Sequence, residues 1–167
     1  MHGSRAARVI RHLVETPAAL RRRFPPATLD RIQAAVAAAE AKHSGEIRVA
    51  LETDLHLRAI LAGHTARDRA LEVFGGLGVW DTAENNGVLI YLLFADHSVE
   101  IVADRGFNDL VQPEEWQAVC RKMEEEYRAG HWEQGTVNGV HAVGALIARH
   151  FPGAGQRNEL PDRPVIL

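Results

Sequence analysis

Between Trp80 and Gly106 the chain reads WDTAENNGVLIYLLFADHSVEIVADRG, two apolar runs with oxygen-rich side chains at their outer ends. If the runs are strands of a hairpin, Asp81, Glu84, Asn85 and Asn86 come beside Asp104 and Arg105. Carboxylate and amide oxygens gathered in this way suit a hard cation such as calcium or magnesium. An arginine next to that cation could hold a phosphate oxygen. This gives a candidate metal set of Asp81, Asn85, Asn86 and Asp104, and catalytic candidates Glu46, Asp104 and Arg105. The competing reading is structural, because Asp and Asn also cap strands and close turns through their own side chains. The spacing matches no EF-hand loop.

Other residues offer weaker chemistry. The nine histidines contain no HExxH pattern. His43 is the best acid–base candidate among them, although a histidine at a helix C-terminus is also favoured by the dipole. His141 and His150 read as packing or surface residues. Cys120 falls on the apolar face of a helix and reads as a buried, inert thiol. No P-loop and no GxSxG elbow is present, and Gly76, Gly78 and Asp81 follow a helix rather than a strand. No nucleotide or organic cofactor is expected. No basic stripe with interleaved aromatics suggests nucleic acid.

The elements that must position these residues follow from periodicity. Leu29, Ile32, Val36 and Ala39 recur at helical spacing after Thr28, read as an N-cap. EIRVALET, from Glu46, reads as a first strand. Thr65 and Asp68 have capping-box spacing at the start of a second helix. Val88 to Phe94 reads as an interior strand and Val99 to Ala103 as a third, joined by a tight turn at Asp96 and His97. A two-residue turn would set Leu93 opposite Glu100 and Leu89 opposite Asp104. Pro113 opens a helix that Gly130 closes, and a last helix runs from Glu133 to His150. A helix between strands one and two implies a parallel return, which would put Glu46 near Asn86. The expected fold is α/β, a three-layer-like sandwich whose mixed β-sheet contains a central hairpin and carries packed helices.

Length and composition fit one globular domain with extensions: 167 residues, 46% hydrophobic, formal net charge −3. We divide the chain into a basic arm (1–24), a domain (25–152) and a tail (153–167), the tail being a poor helix or strand. The first 23 residues hold six arginines and one acid, Glu15. This arm is the expected contact for a protein partner, including a membrane protein, or for a membrane surface; the plainer alternative is a helix packed on the domain. A single cysteine excludes an internal disulfide. No apolar run reaches the roughly 20 residues of a spanning helix, and charges interrupt the N-terminal apolar run. A cytoplasmic setting is expected, peripheral to the membrane if the arm touches lipid.

SGEIRVALE, then NNGVLIYLLFADHSVEIVADRG, then WEQGTVNGVHAVGALIARHFP resemble the TPM domain family over about residues 28–152. The arm and tail look like those of a short soluble bacterial subgroup. The resemblance implies an α/β sandwich with a mixed sheet, acid phosphatase activity in a chloroplast member, and a divalent ion in some members. The matching positions here are Asn86 and Gly87, Asp104 to Gly106, and Glu46. Two readings follow: a non-catalytic accessory or adaptor domain with a calcium or magnesium site, or a metal-assisted acid phosphatase acting on phosphomonoesters.

Overall fold

A computed structural model describes residues 5–155 and 157–167 of the chain. Its centre is a four-stranded sheet of order β3-β2-β1-β4. β1 (Glu46–Glu52) lies parallel to β2 (Gly87–Leu93), and β2 lies antiparallel to β3 (Ser98–Ala103). β2 is buried along its whole length, as its unbroken apolar sequence requires of a strand covered on both faces. Helices cover both faces, giving the expected three layers. Ile47, Val49 and Leu51 point to one side with Val88, Ile90 and Leu92, beneath α2 (Pro17–Arg23), α3 (Pro26–Glu40), α6 (Pro113–Arg128) and α7 (Trp132–His150). Ala50, Leu89, Tyr91 and Val102 point to the other, beneath α4 (Leu57–Leu61) and α5 (Ala66–Gly76). Among the described residues no helix is long and apolar enough to cross a membrane.

Several local expectations change. Thr28 lies inside α3, which starts at Pro26 in the first-turn position that proline tolerates; the Thr28 hydroxyl donates to Glu133 Oε2 at 2.6 Å. The β2–β3 connection is not a two-residue turn. Phe94–Asp96 form a 3₁₀ turn, His97 follows with φ +50°, and the register shifts by two: Tyr91 faces Glu100, and the Asp104 amide donates to the Gly87 carbonyl. The tail also contains a strand. β4 (Val165–Ile166) pairs in parallel with Ala50 and Leu51 and closes the β1 edge.

The reason for that edge strand lies in β1 itself. Its second face carries Glu46 and Arg48, both buried. A buried charge is costly unless it is hydrogen-bonded. Arg48 donates to the carbonyls of Pro161 (2.7 Å) and Arg163, and Glu46 accepts from the amides of Glu159 (3.2 Å) and Leu160 (3.1 Å). Backbone polar groups of the tail thus satisfy two strand charges.

The N-terminal segment packs onto the domain. Leu20 and Phe24 are core residues. In α1 (Arg5–Val14) the buried His12 accepts from the Leu55 amide through Nδ1 at 3.0 Å, so its proton is on Nε2, 3.2 Å from Asp96 Oδ1. Arg8 and Arg11 also bond the Asp96 carboxylate, at 2.8 and 3.1 Å. Burial pushes the Asp96 carboxyl up, but the nearby His12 ring and the bonds from Arg8 and Arg11 outweigh it and hold it below the usual range. The opposite face of α1 is apolar and faces solvent: Ile10, Leu13 and Val14 are 60%, 66% and 69% exposed.

Candidate functional site

Asn85, Asn86, Asp104 and Arg105 lie where β2 begins and β3 ends, beside the start of β1. Two close backbone approaches fix the place. A Cβ on Gly87 would overlap the Val79 carbonyl, and one on Gly106 would overlap the Asn85 carbonyl, which accepts the Gly106 amide at 2.8 Å. The loop before β2 is thereby pressed against the 3₁₀ turn after β3, Arg105–Phe107. Asn85 takes φ +53°, a left-handed conformation that asparagine tolerates.

Two small networks result. Asn86 is fully buried; its backbone amide donates to Thr82 Oγ1 at 3.0 Å, and its side-chain Nδ2 donates to Glu84 Oε2 at 3.1 Å. The Ser44 hydroxyl also donates to Glu84 Oε2, at 2.6 Å. In the second network Arg105 Nε donates to Asn85 Oδ1 at 2.9 Å, and Asp104 Oδ1 accepts the Arg105 amide at 2.7 Å. Asp104, Asn85 and Arg105 are thus brought together, while Asn86 bonds within the first network. Asp81 is exposed in the preceding turn and joins neither network.

Two oxygens of this region are buried without a hydrogen-bond partner, Asn86 Oδ1 and Asp104 Oδ2. Buried acceptors are normally satisfied, so each such atom asks for an explanation. A cation supplies one: amide and carboxylate oxygens are ordinary calcium and magnesium ligands. Among the described residues no three His, Cys, Asp or Glu side chains converge as a ready-made cage. A bound cation would therefore draw on amide and backbone carbonyl oxygens and on water, a donor set that calcium accepts.

Glu46 lies at the same sheet end, opposite Gly87, but its carboxylate turns to the tail amides rather than to Asp104. Burial raises its pKa, and Glu159 and Asp162 add to the rise against the two amide bonds. Nearby Glu40 bonds the Ile47 amide at 2.8 Å and is pushed up to about 8, chiefly by burial. Sequence reasoning missed Glu40, which sits in the last turn of a helix where a carboxylate is disfavoured by the dipole. It also missed Ser44. His43 is buried, burial lowers its pKa, and neither ring nitrogen bonds a carbonyl at the end of α3. Cys120 is pushed up to about 12 by burial, with Glu100 and Glu124 adding to it, as expected of an unreactive thiol.

A family model described as the TPM domain matches residues 21–146. The solved structure of the BA42 protein from the psychrophilic bacterium Bizionia argentinensis is 32% identical; the match covers 84% of this chain and 93% of that one, with a TM-score of 0.73. The N-terminal domain of a P. gingivalis protein is 19% identical over 75% of this chain and 77% of that one, with a TM-score of 0.60, and shares the fold. No curated protein matches the chain.

Proposed function

The chain belongs to the TPM domain family, and on that premise we propose that it is a non-catalytic accessory domain that holds a divalent cation, calcium or magnesium, where β2 begins and β3 ends. The observation that carries this reading is the pair of buried, unpartnered oxygens on either side of Gly87, Asn86 Oδ1 and Asp104 Oδ2. Asn85 and backbone carbonyls of the same loop complete the donor set, and Asp81 contributes through water. The cation fixes the loop before β2 against the turn after β3. Titrating the protein with calcium and with magnesium tests this, through the amide signals of Asn86 and Asp104.

As an adaptor the domain meets a protein partner through residues 1–24. The outward face of α1 supports this: Ile10, Leu13 and Val14 are exposed there at i, i+3 and i+4. A cluster of exposed apolar side chains marks an interaction surface. Deleting the whole segment would also remove Leu20 and Phe24 from the core, so the informative variant replaces Ile10, Leu13 and Val14 by serine. Its capture of a partner should fail while the fold persists.

One observation favours the phosphatase reading: Arg105 is exposed beside Asp104 and spends only Nε on Asn85. Asp104 would hold the cation, which would supply charge neutralisation for a phosphomonoester, and the free end of that guanidinium would bind a phosphate oxygen while water displaces the alcohol from phosphorus. Turnover of a generic phosphomonoester that requires divalent ion and is lost in Asp104→Ala would establish it over the accessory role.

A further inference from the structure

A second polar hollow lies at the other end of β2, about 20 Å along a seven-residue strand from Gly87 at the usual rise per residue. It is a cleft of about 700 Å³ between the end of α2, the β2–β3 connection and the α6–α7 junction. Arg22 and Arg23 line it from the last turn of α2, Arg128 from the end of α6, and Glu15 is its carboxylate. Among the described residues the side chains of Arg22 and Arg23 make no hydrogen bond or ion pair to the protein, and that of Arg128 has only a 3.3 Å bond to Glu124.

The floor is rigid and aromatic. Trp132 stacks on Tyr127 at 4.8 Å between ring centroids, and Phe94 and His97 meet it at 4.9 and 5.0 Å. His97 is held in the left-handed conformation that ends the 3₁₀ turn. Burial lowers its pKa, and Arg11, Arg128 and Arg23 lower it further against the opposing charge of Glu15. Two adjacent arginines of α2 and a third from α6 set three guanidiniums against the one carboxylate of Glu15, an excess of positive charge in the cleft. Basic residues do suit a helix C-terminus, but α2 is one short helix and Arg128 belongs to another.

We propose that this cleft binds a phosphate-type oxyanion carried by a small molecule or a lipid headgroup, held by Arg22, Arg23 and Arg128 over His97. Guanidinium forks match tetrahedral oxyanions in pairs. The site is separate from the cation site and does not depend on it.

The test is titration of the full chain with inorganic phosphate at constant ionic strength, with sodium chloride as the control, read by amide NMR and by Trp132 fluorescence. The expected result is a saturable shift at His97, Arg128 and Gly130 with a sub-millimolar Kd. The double variant Arg22→Ala/Arg23→Ala should weaken it at least tenfold with Tm unchanged, while Arg121→Ala, on the same helix as Arg128 but outside the cleft, leaves it intact. A response that is linear, that chloride reproduces, or that persists in the double variant overturns the proposal. Phosphatidylglycerol vesicles then separate the sources: binding that phosphate competes away points to a headgroup, and phosphate saturation without vesicle binding points to a small molecule. Calcium shifts at Asn86 and Asp104 report independently on the other site.

Discussion

Asn86 and Asp104 flank Gly87, one through the chain and the other through the amide it donates to the Gly87 carbonyl, and each keeps one buried oxygen unpartnered. That relationship depends on Gly87 having no side chain. In Gly87→Ala the new methyl meets the Val79 carbonyl, a backbone atom that cannot rotate away. Overpacking of this kind costs about 1–3 kcal/mol. Thermal unfolding should show Tm lowered by roughly 3–10 °C for a chain of this size, with any cation response weakened as well. An unchanged Tm would mean that the loop is free to move off β2.

Glu40 makes stability fall as pH rises. Its folded pKa is about 8 because of burial, whereas an unfolded glutamate titrates near 4.5. Between those values the unfolded chain releases a proton that the folded chain retains, so this contribution is complete below about pH 4.5 and is lost as pH rises to about 8. Glu40→Gln keeps an acceptor for the Ile47 amide and removes the titration. Denaturant unfolding at pH 8 should show the variant more stable than the parent by about 2 kcal/mol, allowing for solvent screening of a pKa unit's ~1.4 kcal/mol, and equal to it at pH 4.5.

Asp96 works in the opposite direction. Its depressed carboxyl pKa contributes stability above the unfolded value and loses it as pH falls below that value. Asp96→Ala takes the carboxylate from the buried His12 and from Nε of the partly buried Arg8, whose Nη1 keeps only the His64 carbonyl. Removing one partner of such a network costs about 3 kcal/mol. Hydrogen exchange should locate the loss in α1, with the amides of β2 still protected; uniform loss throughout would show that α1 is no separate unit.

The outer face of α1 should carry little stability. Ile10, Leu13 and Val14 are more than half exposed, so the triple serine variant should unfold within about 0.5 kcal/mol of the parent per substitution, the usual range for surface changes. A larger loss would place these side chains in a packed interface of the free protein.

Much of this architecture is legible in the sequence because apolar periodicity marks it. VLIYLL could only be an interior strand, and Thr65 with Asp68 forms the capping box their spacing implies. The tail was illegible for a physical reason. It is held by backbone carbonyls and amides that satisfy Arg48 and Glu46, and such bonds leave no trace in side-chain patterning. The hidden signal was in β1, where Glu46 and Arg48 alternate with apolar residues at the start of the strand and demanded a polar cover. The hairpin register failed by two residues because Phe94 turns from strand into a 3₁₀ turn closed by His97. The site was legible in part: Asn85, Asp104 and Arg105 do come together, while Glu46 is drawn away by the tail and Asp81 remains in solvent. Side-chain direction at a strand end depends on partners from distant sequence, which local pattern does not contain.

The most direct measurement is titration of the intact protein with calcium, then magnesium, followed by amide NMR beside Asp104→Ala. A cation site predicts saturable shifts at Asn85, Asn86 and Asp104, a raised Tm on saturation, and loss of both in the variant. Amide positions that stay fixed to millimolar ion, or shifts that survive Asp104→Ala, would contradict it and leave the end of the sheet as a set of turn and capping residues.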